Sequence, residues 1–321
     1  MYNFIVFGHP VDMYKILYSD IAKMDNARYI STPLDFRSPI YHFFFRLHWS
    51  PKINKIVNLP FKSIWNSCYY KNDFPNSNPI CFVFFYHWNR YEREGLLKYL
   101  RKKYPNSKMV CFFQDLVVLQ KDLDINHIKN VFDLVLSFDH KEAQKYDLEY
   151  HKLVFSNFSI EKNPAYNDCD VYFLGKAKNR LDEIISTFEY LKSKKLKCEF
   201  YVTGVELNKQ IYPDEINYLD SMSYIENLQH VISARCLLEI MQEGGHGYTN
   251  RMCEAIAYDK KIITNNIEVE NSPFYNPKYI SVYSKAADID VKFLKDNSKV
   301  NYNFKEQLSP KKLLSFIEKK I

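Results

Sequence analysis

The residues best suited to chemistry stand in one stretch, 237–266, LLEIMQEGGHGYTNRMCEAIAYDKKIITNN. Its loop, 241–250, holds Gly244, Gly245 and Gly247, although the chain has only 7 glycines in 321 residues. A chain that uses so little glycine places it where positive φ or a close backbone approach excludes other side chains. The loop runs directly into a helical pattern, so free amides and the positive end of the helix dipole face into it. That arrangement suits an anion such as a diphosphate. Thr249 adds a hydroxyl and Arg251 a permanent charge. Glu254, one helical turn further on the same face, adds a carboxylate able to accept both hydroxyls of a ribose. Gln242 and His246 belong to the same loop. The plainer alternative is a surface Arg–Glu pair on an ordinary helix.

A second constellation, GKAKNR at 175–180, follows the apolar run DVYFL. Gly175 permits close approach, and Lys176, Lys178 and Arg180 supply positive charge just before a helix. Phosphate contact or a solvated basic turn both fit. Gly204 ends a further apolar run, CEFYVT. In the first half, His9, His87, Asp115 and Asp139 fall at the ends of strand-like runs. Asp139 precedes a helical pattern and suits a cap. As the base that takes a proton from an acceptor hydroxyl, Asp115 ranks first, then His87, then His9. No GxxxxGK[ST] or GxGxxG stretch occurs, and the 9 histidines form no HxxxH or HExxH pair. Neither a redox cofactor nor a metal is expected.

Apolar strands alternating with amphipathic helices must position these groups. Runs at 80–88, 108–115, 134–139 and 152–156 read as strands of one parallel sheet. Those at 170–175, 198–204, 236–240 and 261–266 read as a second. Between them, 159–168 is polar, contains Pro164 and reads as the linker. The fold class is therefore α/β, two Rossmann-like domains facing across a central cleft. The divisions are 1–158, 169–300 and a terminal segment, 301–321, that includes a helix.

Composition narrows the classes. With 46% hydrophobic and 26% charged residues the chain reads as soluble and globular. A net charge of +6 suits a nucleotide, a phosphorylated substrate or an anionic surface, without the clustered Lys and Arg of a nucleic-acid binder. The 7 cysteines make no CxxC pair and fit buried thiols of a reducing compartment. MYNFIVF is no secretory signal, and no apolar run reaches the length of a membrane span. A cytoplasmic location is expected. The stretch 36–70, with YHFFFRLHW and PKINKIVNLPFK, predicts either a helix packed on the sheet or cleft, or contact with an anionic bilayer.

CLLEIMQ (236–242), GYTNRMCEAI (247–256), KKIITNN (260–266) and FDLVLSFDHKEAQKYDLEY (132–150) resemble the GT-B glycosyltransferases of bacterial capsule, O-antigen (lipopolysaccharide) and exopolysaccharide synthesis. The resemblance spans most of the chain. It implies a nucleotide sugar held by the second domain, a glycan acceptor held by the first, and transfer without an obligate metal. Lys176 and Arg180 would lie at the diphosphate, and Thr249, Arg251 and Glu254 around the donor. The last helix would cross back onto the first domain. The sequence departs from the Glu-x7-Glu signature of many such enzymes, because position 246 is His. A lipid-linked acceptor suits the same likeness, and the aromatic and basic stretch 36–70 adds the expectation of peripheral contact with the inner face of the cell membrane. The rival readings are a sugar-nucleotide epimerase of this fold and a non-catalytic nucleotide- or glycan-binding protein of a polysaccharide assembly complex.

Overall fold

The computed structural model of the chain describes all residues except 10, 31–37, 58, 71, 86–90, 93–94 and 118–122. Its first sheet comprises β1 (Asn3–Phe7), β2 (Ala27–Ile30), β3 (Ile80–Phe84), β4 (Lys108–Phe113), β5 (Leu134–Ser137) and β6 (Glu149–Tyr150). Their order is β2-β1-β3-β4-β5-β6. The second comprises β7 (Cys169–Lys176), β8 (Cys198–Thr203), β9 (Asn217–Leu219), β10 (Ala234–Glu239), β11 (Lys261–Thr264) and β12 (Ile280–Val282). Their order is β12-β11-β10-β7-β8-β9. Every ladder among the described residues is parallel.

Parallel strands covered on both faces must be apolar throughout, and every residue of β1 and β3 is buried. Phe7 of β1 and Phe84 of β3 stack at 4.7 Å. Each such fully buried side chain contributes about 1.5–3 kcal/mol by leaving water. Helices cover the faces through one apolar stripe each: Leu181–Ser193 buries Ile184, Ile185, Phe188 and Leu191 against the second sheet. The two sheets form the two expected Rossmann-like domains. In each, strand order reverses at one place, between β1 and β3 and between β7 and β10, where a crevice opens at the strands' carboxyl ends.

The helix Pro310–Lys320 returns to the first domain. Ser309 caps it, Leu313, Leu314 and Ile317 are buried, and Glu318 Oε1 accepts the Tyr2 N–H at 2.9 Å. Lys320 pairs with Glu149 at 2.9 Å. Asp20 ties both crossings together, its Oδ2 accepting from Ser309 Oγ at 2.8 Å and from the Asn157 N–H at 3.2 Å.

One expectation needs correction and another holds in part. The run 152–156 is buried as expected but is no strand: the Phe155 N–H donates to Leu308 O and the Ser156 N–H to Leu17 O. Its amides join separate elements instead of a ladder. Of the stretch 36–70, Trp65, Tyr69 and Tyr70 pack in the core of the first sheet as expected, but the helix Pro39–His48 buries none of its residues, all described. It is held by Phe45, edge-on to Trp65 at 5.5 Å, and by the Trp65 N–H to His48 Nδ1 bond at 2.7 Å.

Candidate active site in the interdomain cleft

Two adjoining cavities occupy the cleft. The first, about 420 Å³, lies over the β7/β10 reversal and is lined by Phe173, Leu174, Leu238 and Glu239 from the strands. Arg180, Tyr224, Asn227, Thr249, Arg251 and Glu254 complete its wall, and Met13 reaches in from the first domain. The second cavity, about 460 Å³, spans both domains. It shares Arg180, Thr249 and Asn250 with the first and adds Lys178, Gln242 and Gly245 opposite Gln114 and Asp115.

The helix Asn250–Ala257 starts where Thr249 Oγ1 accepts the Arg251 N–H at 3.1 Å and the Met252 N–H at 3.4 Å. One turn in, Arg251 Nη1 donates to Glu254 Oε2 at 2.6 Å. Tyr224 Oη and Asn227 Nδ2 both donate to Glu254 Oε1 at 2.9 Å. The Arg251 guanidinium also reaches Leu174 O at 3.1 Å and lies over the Tyr172 ring at 5.1 Å. Burial opposes its charge, but the neighbouring carboxylates, Glu254 foremost, hold it protonated. The Arg251–Glu254 pair is thus an interior network and not a surface pair, with Glu254 only 3% exposed.

Glu239, at the carboxyl end of β10, is a site residue that the sequence reading missed within CLLEI. It is buried, accepts a hydrogen bond from Thr249 Oγ1, and accepts another from Thr264 Oγ1 at 2.5 Å. Burial raises its pKa, against the pull of those hydroxyls and of Arg251 and Arg180. A carboxylate at the end of a central strand was the available signal. Arg180 donates to Ile240 O and, through Nε and Nη2, to Lys176 O at 3.2 and 3.1 Å. Burial works against its charge, so the group suits an incoming anion.

Gly247 shows why the loop needs glycine. A Cβ there would stand 2.8 Å from Phe138 O of the other domain. Gly244, at φ 79°, makes the turn before it. The loop's amides are partly engaged: Asp139 Oδ2 accepts the His246 N–H at 2.7 Å and the Gly247 N–H at 2.9 Å. Asp139 Oδ1 meanwhile caps the helix His140–Tyr146. Sequence reasoning found the cap but not this bond between domains. Lys141 adds an ion pair to Glu268 at 2.6 Å.

The remaining sequence-derived candidates are dispersed. Asp115 faces the second cavity, and the two lobes exclude enough water to raise its pKa, with Lys178 opposing. Lys178 donates to Gln242 Oε1. His9 turns its Nδ1 to the Val11 N–H at 3.0 Å, stacks on Tyr14, and has its pKa lowered by burial. It lines neither cavity. His87 lies outside the described residues. Lys176 lies against Gly204, and Gly175 makes room for Arg180; Gly175, Lys176 and Gly204 lie off the cavity walls. Among the described residues no three His, Cys, Asp or Glu side chains stand together as metal ligands, and no helix is long and apolar enough to cross a membrane.

No family model matches the sequence, and a search of curated proteins gives no match. Solved structures do match. An alpha-glucosyltransferase in complex with UDP and a 13-mer DNA containing a HMU base superposes with a TM-score of 0.59 at 11% identity, covering 99% of this chain and 98% of that one. The alpha-glucosyltransferase with UDP-glucose and DNA containing an abasic site gives 0.51 at 10% identity, covering 84% and 82%. A UDP-forming trehalose-phosphate synthase from Burkholderia xenovorans gives 0.50 at 9% identity, covering 92% and 90%. Two parallel six-stranded sheets, matched to the UDP and DNA complex along 99% of this chain, give this protein the GT-B fold.

Proposed function

We propose that the protein is a glycosyltransferase that moves a sugar from a nucleotide donor to a hydroxyl of a surface glycan, the acceptor being lipid-linked. The observation that carries this reading is the wall of the first cavity, where Arg180, Glu239, Thr249, Arg251 and Glu254 meet at the β7/β10 reversal. A nucleotide fits there with its diphosphate toward Arg180 and the start of the helix Asn250–Ala257. UDP is the favoured nucleotide, since the alpha-glucosyltransferase was solved with UDP-glucose and the trehalose-phosphate synthase forms UDP. The acceptors of those proteins differ, so the glycan acceptor rests on the likeness of 236–266 to capsule and O-antigen enzymes.

In the reaction, the bond from the anomeric carbon to the phosphate oxygen breaks while one to the acceptor oxygen forms. The acceptor's hydroxyl proton passes to Asp115, and the nucleoside diphosphate leaves with the bonding electrons. Arg180 and Lys178 stabilise the charge gathering on it. The residues from both lobes around the second cavity limit the water that would otherwise hydrolyse the donor.

A thermal-shift screen against UDP, GDP, CMP and dTDP sugars tests the donor, because a ligand at about 100 times its Kd adds ~2.7 kcal/mol of apparent stability. A shift with UDP sugars is the expected result, and no shift with any of them would overturn the reading. Incubation with UDP-N-acetylglucosamine alone should yield no epimer; an epimer would make the protein an epimerase instead.

A further inference from the structure

The helix Pro39–His48 carries its apolar stripe on the wrong side for a core. Ile40, Phe43, Phe44 and Leu47 repeat at the i, i+3, i+4, i+7 spacing that normally faces the interior. Here they face out, with Phe43 61% and Phe44 50% exposed. On the opposite face Phe45 packs edge-on against Trp49, Trp65 and Tyr69 and anchors the helix. The helix Pro51–Ile56 follows at once and ends in Ile56, 87% exposed; Phe61, beyond it, is 76% exposed. A groove lined by His42, Phe43, Arg46, Leu47 and Ile53 runs between the two helices. Large apolar side chains gathered in one patch mark an interaction surface.

Charge selects the partner. The sequence from 36 through 72 contains no Asp or Glu, and Arg46, Lys52, Lys55 and Lys62 stand among the exposed apolar residues. Lys62 lies over the Trp49 ring at 5.2 Å. Apolar side chains that protrude with basic groups beside them suit a bilayer with anionic headgroups: the rings enter the acyl boundary while the cations meet phosphate. A nucleic-acid surface would need a denser array of cations and fewer aliphatic side chains such as Ile40, Leu47 and Ile56.

We infer that the helices Pro39–His48 and Pro51–Ile56, with Phe61, form a docking surface by which the first domain sits on an anionic lipid bilayer. This fits a lipid-linked acceptor, but its test needs neither donor nor acceptor. The full chain is sedimented with vesicles of phosphatidylcholine alone, and with vesicles of phosphatidylcholine and phosphatidylglycerol in equal parts. Binding is expected to the mixed vesicles, to weaken in high salt, and to fall about tenfold in Phe43→Ser/Phe44→Ser and again in Arg46→Glu/Lys55→Glu. The Ile56→Ser variant, altered at a side chain almost wholly in solvent, repeats the test without touching the helix anchor. Unchanged circular dichroism in the variants separates lost docking from lost folding.

Absence of binding to mixed vesicles, or variants that bind as well as the parent, would overturn the inference. So would a dimer in light scattering that dissociates in the Phe43→Ser/Phe44→Ser variant, or DNA retained in preference to vesicles and released by the same changes. A protein that binds vesicles but no nucleotide sugar would leave the docking surface standing while removing the proposed activity.

Discussion

Asp139 Oδ2 of the first domain lies 2.7 Å from the amide nitrogen of His246 in the second, and takes the Gly247 N–H as well. One buried carboxylate therefore caps a helix in one lobe and fixes the glycine loop of the other. It occupies two of the amides that the sequence offered to a diphosphate. The ligand's anion is left with Arg180, Lys178 and the turn closer to Thr249.

Asp139→Ala should lower unfolding free energy by roughly 2–4 kcal/mol, from a lost cap and a buried amide left without an acceptor. Urea unfolding measures this. A change below about 0.5 kcal/mol, the size of an ordinary surface substitution, would show that the bond between lobes contributes little.

Glu254→Ala leaves the Arg251 guanidinium inside the protein without its carboxylate, at a cost of about 3–5 kcal/mol. Weak donor binding by that variant would then be ambiguous. Glu254→Gln also removes the charge beside Arg251 but keeps the volume and one acceptor oxygen, so it should lose less stability than the alanine variant does. Its donor affinity should fall about tenfold, the loss of one charge-assisted bond, with the fold retained. Calorimetric titration that finds the parent Kd would assign Glu254 to structure alone.

Asp115→Asn should reduce kcat by about 10²–10⁴-fold while donor affinity is preserved. A base must be ionised, and desolvation raises the Asp115 pKa, so kcat/KM should fall on the acid side at higher pH than for an ordinary aspartate. The Lys178 charge opposes that rise. Lys178→Met should therefore move the acid limb to still higher pH. A limb that stays in place would remove Asp115 from the base role.

Glu239 binds its proton more tightly in the folded protein than in the unfolded chain, because burial raises its pKa. With more protons bound by the native state, stability declines as pH rises from the ordinary glutamate value through the raised one. Glu239→Gln should flatten that part of the Tm against pH curve. An unaltered slope would contradict the assignment.

Most of the fold was legible because parallel strands sealed on both faces must be written as unbroken apolar runs, as in ICFVF and CLL. The edge strands β2 and β9, ARYI and NYL, carry no such run, since an edge is less covered. The run 152–156 misled for the opposite reason: it is apolar because it is buried, while its hydrogen bonds go elsewhere. The glycine loop announced itself by scarcity, and Gly247 has a physical cause in Phe138. Glu239 was hidden inside a strand run. The second role of Asp139 depends on a partner 107 residues away, which no local spacing reveals.

Hydrogen exchange with and without saturating UDP tests the central claim most directly, since it reports where a nucleotide sits without requiring an acceptor. Slower exchange in 174–181 and 238–254, with the first domain's outer helices unchanged, is the expected pattern. Protection confined to other segments, or none at saturation, would contradict a nucleotide site at the β7/β10 reversal.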